Sequence, residues 1–302
     1  MDWTVDDIPD QSARIALVTG ANSGLGFETS KVLLDKGATV IMACRSKDNA
    51  EAAKKKLLSQ NIQRKIDTLE IDLADLSSVN NISRYINQKY KRLDVLINNA
   101  GIMAPPRTLS KQGLEIQFAV NHLGHMALTN NLIPLLEANK GSRVVTVSSG
   151  VQYFAQINWD DLQGKKRYDR WRSYSQSKLA NVMFAIELEN KLRLGNNNSL
   201  SLLAHPGIAR TNLHRKSLNT NSSFFEKLAY KLIESTFQSA SMGSLPQIKA
   251  ATFPGAQGGQ QYGPRFSVMG HPILARIPTF ALNKAHRKRL WDLSQELIGI
   301  NS

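Results

Sequence analysis

The sequence predicts an α/β chain built on a single doubly wound parallel sheet with helices on both faces. Three observations carry that prediction. Short β-branched runs alternate with helical patterns through the first two thirds of the chain, as successive βαβ units do. Runs such as Ile15–Val18 are apolar throughout instead of alternating, as strands buried on both faces are. Apolar residues make up 42% and charged residues 21% of 302, enough to bury a large core and too apolar for a disordered chain. The expected winding is Rossmann-like, with about seven strands.

The elements follow in order. Arg14–Thr19 is the first strand and Gly26–Lys36 the helix after it. Gly37 stops that helix where a left-handed backbone costs glycine nothing. Strands recur at Thr39–Ala43 and Ile66–Ile71, and Asp75 caps a helix that opens with Leu76-Ser-Ser-Val79. Val95–Asn98, Arg143–Val147 and Ser201–Ala204 continue the sheet, and a short edge strand around Gln260–Tyr262 closes it. Residues 150–171 and 208–258 break the rhythm, each after a strand. Ligands of open α/β sheets sit beyond the carboxyl ends of the strands, so these stretches are expected to form the walls and lid of a site. In the second, Phe224, Phe225, Leu228, Ala229, Leu232, Ile233 and Phe237 recur at helical spacing opposite Glu226, Lys227, Lys231 and Glu234. That stripe reads as a helix over the mouth or as one packed on the body. No linker divides the chain, which reads as one domain over 1–302: a core at 14–212, a lid at 213–258, and a C-terminal strand and helix at 259–302.

Charge and composition exclude several classes. Lys and Arg number 38 against 24 acids, a formal charge of +14 that favours a polyanionic ligand, nucleic acid or an anionic membrane surface. The basic clusters, such as Lys54-Lys55-Lys56 and Arg287-Lys288-Arg289, lack the interleaved aromatic residues of a single-strand binding groove, so no nucleic-acid partner is expected. No apolar run approaches the ~20 residues of a transmembrane helix, although the basic C-terminal third leaves peripheral membrane contact open. An acidic N-terminus without a secretory pattern and a single cysteine, Cys44, suit a reducing, cytoplasmic setting. His122 and His125 have no third ligand at a useful spacing, so no metal is expected and packing is the better account of both.

The chemistry concentrates in three places. Thr19-Gly-Ala-Asn-Ser-Gly-Leu-Gly26 joins a strand to a helix, with Gly20, Gly24 and Gly26 letting backbone approach a pyrophosphate at a helix N-terminus. Ser23 and Leu25 belong to the same turn. The second strand ends in Ala43-Cys44-Arg45, with no acid to bind a ribose 2′-hydroxyl. Arg45 can instead grip a 2′-phosphate, which favours NADP(H). Asp72 closes the third strand where a carboxylate can meet the adenine amino group, and Asn98-Asn99-Ala100-Gly101 closes the fourth. Two YxxxK patterns occur, at Tyr85/Lys89 and Tyr174/Lys178. The first precedes the fourth strand on an outer helix, whereas Tyr174 opens the helix after the strand that ends in Ser148-Ser149. There phenol and ammonium share a helix face, and a cation beside a phenol with an ordinary pKa near ~10 brings it toward a useful range.

These motifs, with Asn121 and Pro206-Gly207 followed by Thr211, stand in the order of the classical short-chain dehydrogenases/reductases, and the chain resembles that family over roughly residues 14–212. The tail, with Tyr262-Gly-Pro264 and Arg289-Leu-Trp-Asp292, resembles the retinol-dehydrogenase-like branch. Protochlorophyllide oxidoreductases are similar through Asn121-His-Leu-Gly-His125. The resemblance implies that Tyr174 is the general acid or base, that Lys178 lowers its pKa and holds the nicotinamide ribose, and that Ser149 binds the substrate oxygen. It also implies that Asn121 holds a water relaying protons to Lys178, that Asn99 lies against the cofactor, and that Thr211 binds the carboxamide. Ser149 precedes Tyr174 by 25 residues where the family has 13, an insertion of twelve. The expected function is NADP(H)-dependent hydride transfer between the nicotinamide and a carbonyl or alcohol of a small apolar substrate, retinoid-, isoprenoid- or lipid-like. The alternatives are reduction of a tetrapyrrole double bond and a catalytically silent nucleotide-binding regulator. An intact Ser149–Tyr174–Lys178 set argues against the silent reading. Monomer and homo-oligomer both stay open, as does substrate contact by Tyr153 and Trp159 against anchoring of their loop, while His205, at a strand end near the site, reads better as a satisfied core histidine than as a supporting residue of the site.

Overall fold

A computed structural model describes residues 2–60, 63–195, 198–209 and 237–299. Eight strands form one sheet in the order β3-β2-β1-β4-β5-β6-β7-β8. They are β1 Ile15–Thr19, β2 Thr39–Cys44, β3 Ile66–Glu70, β4 Val95–Asn98, β5 Arg143–Val147, β6 Leu200–Ala204, β7 Gln261–Pro264 and β8 Pro272–Ala275. The first seven run parallel, as expected. β8 is an addition: it pairs antiparallel with β7, Gln261 opposite Ala275, so β7 is not the edge. Four residues opening with proline give no readable strand pattern, yet an outer strand is where a missing N–H is tolerated.

The helices are α1 Gly24–Asp35, α2 Lys47–Leu58, α3 Leu76–Lys89, α4 Gly124–Glu137, α5 Arg170–Leu194, α6 Ala240–Thr252 and α7 Lys284–Leu297. Successive residues of each strand serve opposite cores. Ala16, Val18, Val40 and Met42 pack under α1, α2 and α6, whereas Leu17, Ile41, Leu96 and Val144 face α3, α4 and α5. Local signals set the ends. Gly37 sits at φ +93° just past α1, and Asp75 accepts from the Ser77 N–H to start α3.

Residues 213–236, including most of the stripe expected as a lid, lie outside the described residues. The remainder of that range corrects the expectation. α6 is a structural layer, with Ile248, Ala250 and Ala251 buried and Gly243 placed where a Cβ would stand 3.1 Å from Leu25. It is the crossover between β6 and β7, not a cover. α7 packs on α5 through a stacked Phe184–Trp291 pair, with ring centroids 5.7 Å apart. Among the described residues no helix is long and apolar enough to cross a membrane.

The strand order reverses between β1 and β4, one running outward to β3 and the other to β8. Chains leaving that point diverge to opposite faces and open a crevice at the carboxyl ends of the strands. The site lies there.

Candidate active site

The glycine turn leaves β1 through Gly20, at φ +66°, whose N–H donates to the Ala43 carbonyl at 2.7 Å. Gly26 allows α1 to approach. A Cβ there would stand 2.4 Å from the Gly20 oxygen and 2.6 Å from the Asn99 amide nitrogen. Ser23 sits at the N-cap of α1 in extended backbone but makes no side-chain capping bond. The first-turn N–H groups therefore face the crevice without a competing side-chain acceptor.

Behind the turn lies a satisfied polar knot. Thr19 Oγ1 accepts from the Asn99 and Ala100 N–H groups, each at 2.9 Å. It lies 2.9 Å from His125 Nε2, while His125 Nδ1 lies 3.1 Å from the Asn121 carbonyl. A carbonyl only accepts, so Nδ1 carries the hydrogen and Nε2 takes the Thr19 hydroxyl proton. Burial holds His125 neutral, down at about 4, and His122 at about 3, with Ser294 Oγ 2.9 Å from the His122 Nε2. Both histidines are structural, and among the described residues no cluster could hold a metal. Asn99 spends its side chain here, donating to the Thr19 carbonyl at 2.7 Å and accepting from Gln247 at 3.2 Å.

Asn121 lies in a π-helical turn, Ala119–Leu123, before α4. Its side-chain oxygen accepts from the Ile102 N–H at 2.8 Å, and its amide donates to the Ile102 carbonyl at 3.0 Å and Ser177 Oγ at 2.9 Å. Every hydrogen of that amide is used. Asn121 thus anchors the turn after β4.

Asp169 caps α5 by accepting from the Trp171 and Arg172 N–H groups, which sets the register that aims Tyr174 and Lys178 at the crevice. The twelve-residue insertion is held by two anchors. Asp161 accepts the N–H groups of Lys165, Lys166 and Arg167, and Gln176 takes the Asn158 N–H at 2.8 Å and donates to the Leu162 carbonyl at 2.9 Å. Trp159 is an anchor too, its ring 4.5 Å from the Arg289 guanidinium.

At the centre, Ser148 is buried and donates to the Lys178 carbonyl at 2.8 Å, which leaves Ser149 as the available hydroxyl. Burial pushes the Tyr174 phenol above its ordinary value, and a hydrogen bond from Ser149 pulls the other way. Lys178 is pushed down to about 8 by burial and donates to the Val147 carbonyl at 3.2 Å. Its ammonium lies 6.0 Å from the Tyr174 ring centre. The spacing argument expected a lowered phenol. Burial acts against both charged forms, raising the phenol and lowering the ammonium, and among the described residues no acidic side chain bonds to the lysine.

Every residue expected from the sequence for binding or chemistry lines one cavity of about 1680 Å³, except Asn121 just behind it and Thr211, which lies outside the described residues. Gly20, Ser23, Gly24, Leu25 and Gly26 floor one arm. Arg45, exposed, and Asp72, whose Oδ1 accepts from the Ala74 N–H at 2.9 Å, flank it. The opposite arm is apolar, with Met103, Val151, Phe154, Ile208 and Ile277 among its walls. Sequence reading missed most of that arm. Tyr153 drew notice from its place in the insertion and His205 from its place at a strand end, and the wall after β8 carries no motif.

The short chain dehydrogenase family model matches residues 14–222. Retinol dehydrogenase 14 of Mus musculus is 37% identical over 300 residues, covering 95% of this chain and 86% of its own. A crystal structure of an uncharacterised protein from Mycobacterium paratuberculosis superimposes with a TM-score of 0.81 at 37% identity, covering 99% of this chain and 98% of its own. A short chain dehydrogenase from Shigella flexneri, crystallised with NADP, shares the fold at a TM-score of 0.65 and 20% identity, covering 85% of this chain and 98% of its own. The chain belongs to the short-chain dehydrogenase/reductase family, is retinol-dehydrogenase-like, and is by that membership an NAD(P)-dependent oxidoreductase.

Proposed function

We propose that the protein catalyses NADP(H)-dependent hydride transfer between the nicotinamide and a carbonyl or alcohol of an apolar, retinoid- or lipid-like substrate. The observation that carries this reading is the buried Tyr174, with Ser149 in the same cavity wall and Lys178 one helical turn away, where the glycine-floored arm meets the apolar arm. The Gly20–Gly26 turn suits a pyrophosphate, because a Cβ at Gly26 would fill the close approach and the α1 N-terminus has no side-chain cap of its own. Arg45 suits a 2′-phosphate. Its guanidinium is exposed at the end of β2 with no acid at that strand end. When bound, the nicotinamide supplies or accepts the hydride.

The remaining chemistry belongs to the chain. During reduction Tyr174 gives its proton to the substrate oxygen, and Ser149 donates a hydrogen bond to the same oxygen. The Lys178 ammonium favours the phenolate that results. In the reverse direction Tyr174 takes the proton back, which requires it deprotonated first, so oxidation accelerates with rising pH more steeply than reduction does. The relatives' names support a retinoid-like substrate, and the apolar arm suits one.

The test follows NADPH consumption with retinal, medium-chain aldehydes, steroids and quinones, with NADH as the paired control. Consumption with any carbonyl, faster with NADPH than with NADH, is expected. Binding of NADPH without consumption across the panel would contradict the reading.

A further inference from the structure

The loop after β4 carries a strained residue beside the phenol. Ala104, fully buried, holds φ at +48°, in the left-handed region that a Cβ disfavours. Met103 and Ala104 form one buried cluster with Tyr174, and Val151 packs against it. The bend itself has no part in the proposed chemistry.

Its hold comes from Gln117. That residue lies in a single helical turn, Ile116–Phe118, and is fully buried. The Glu115 carboxylate caps the turn, accepting from the Gln117 and Phe118 N–H groups at 3.0 and 2.7 Å. Gln117 Oε1 accepts from the Ala104 N–H at 2.8 Å. Its amide nitrogen donates to the Arg170 carbonyl at 2.9 Å and to the Tyr168 hydroxyl at 3.0 Å. The amide has one orientation, because the Ala104 N–H only donates and the Arg170 carbonyl only accepts. Three segments therefore meet on one side chain: the bend after β4, the stretch between Ser149 and Tyr174 that carries the insertion, and the first residue of α5. The Tyr168 hydroxyl adds a second tie, 3.2 Å from the Pro105 carbonyl in the same bend. Gln117 does not line the cavity, so any effect it has on turnover passes through its neighbours. Without it the Ala104 N–H would be buried with no acceptor, and the strain at that residue would favour relaxation of the bend.

We infer that Gln117 is a positioning residue for Tyr174, holding the strained bend at Ala104 against the phenol and tying it to the first turn of α5. The inference rests on the proposed role of Tyr174 and adds the device that keeps its hydroxyl in line with the substrate oxygen. A displacement of about 1 Å at a reacting group costs on the order of 100-fold in rate.

The experiment uses Gln117→Met, which keeps the length of the side chain and removes its polar atoms. With the carbonyl that wild type consumes best, kcat per NADPH-binding site should fall by about 10- to 100-fold and the midpoint of the kcat pH profile should move. NADPH affinity should stay within about twofold. Tyr168→Phe, which leaves the Ala104 bond in place, should show the same pattern with a smaller loss, and it decides the matter if Gln117→Met does not fold. A loss confined to the number of binding sites, or an unmoved pH midpoint, would overturn the inference, because a residue needed only for folding changes the amount of competent protein and not its phenol. If wild type consumes no carbonyl, the role given to Tyr174 has failed, and positioning is judged on the phenol itself. In ¹³Cζ-tyrosine-labelled protein with NADP bound, the signal that Tyr174→Phe removes should shift in Gln117→Met and, by less, in Tyr168→Phe. An unshifted signal would overturn the inference on its own.

Discussion

The two arms of the cavity are built in opposite ways. In the dinucleotide arm, Thr19, Asn99, Asn121 and His125 satisfy one another so fully that each Thr19 and Asn121 side-chain hydrogen has a partner. Backbone and glycine do the shaping there, and little freedom is left. In the substrate arm the walls come from the Gly150–Phe154 turn, the segment after β6 and the β7–β8 hairpin, brought together by long-range contacts such as the bond from the Tyr153 hydroxyl to the Arg276 carbonyl. The difference teaches where generality and specificity reside. A cofactor shared by many reactions suits a rigid, self-satisfied frame, while a variable partner suits walls assembled from separate loops. Tyr174 and Lys178 stand at the seam.

The largest expected effect tests that seam. Tyr174→Phe removes the proposed general acid, and turnover should fall by about 10³-fold, within the range for lost general acid catalysis. NADPH affinity, followed by nicotinamide fluorescence, should change less than about twofold, because the phenol contributes little to a frame held by Thr19 and Asn99. A comparable loss of affinity would erase the division between the arms.

Within the dinucleotide arm, Gly26→Ala drives a Cβ against the Gly20 carbonyl oxygen, which cannot rotate away. Overpacking against backbone should destabilise by about 2–3 kcal/mol and weaken NADPH binding more than tenfold, both visible in a thermal shift with and without cofactor. Arg45→Ala touches no packing. It should weaken NADPH by about 10- to 100-fold, the strength of a charge-assisted pair, and NADH by less than about threefold. Equal losses for both would remove the 2′-phosphate argument.

A pH series distinguishes the frame from the walls by stability. His122, His125 and His205 all titrate lower in the folded chain than the usual 6.5. Between 6.5 and about 4 the unfolded chain binds more protons, so stability falls as pH falls through that window. Each group contributes at most ~1.4 kcal/mol per pH unit. Lys178, lowered to about 8 from 10.5, acts in a second window: stability rises as pH rises from about 8 toward 10.5, because the unfolded chain keeps the proton longer. Urea midpoints should show the lower slope in both proteins, and between about 8 and 10.5 Lys178→Met should lose stability relative to wild type as pH rises, the opposing slope of the buried Cys44 thiol, pushed up to about 11, being common to both.

The smallest effect belongs to the outer wall. Phe154 is 92% exposed at the rim of the apolar arm, and Phe154→Ser should change stability by less than about 0.5 kcal/mol. It should raise KM for apolar carbonyls and leave NADPH affinity alone.

Legibility in the sequence followed the same division. Gly20, Gly26, Arg45, Tyr174 and Lys178 lie within a few residues of a strand end or helix start, so local spacing placed them correctly in one cavity. β8 was not readable, because four residues beginning with Pro272 resemble a loop and become a strand only by pairing with β7. The same cause hid the substrate arm, whose residues meet across separations of up to 123 positions, as Tyr153 and Arg276 do. α6 was mistaken for a lid because its long approach from β6 broke the strand–helix rhythm, although its small residues Gly243, Ala250 and Ala251 fit it for close packing. The burial of the phenol was also not readable. Spacing shows that a cation is near but not that burial depresses the cation as well.

The most direct test of the central claim is isotopic. Wild-type protein is given NADPH deuterated at the transferring face of the nicotinamide ring, with retinal or whichever aldehyde of the panel is consumed, and the product alcohol is weighed by mass spectrometry. The account predicts one deuterium on the carbinol carbon, at a rate that collapses in Tyr174→Phe. An alcohol without deuterium from either face, or deuterium transfer unaffected by Tyr174→Phe, would contradict it.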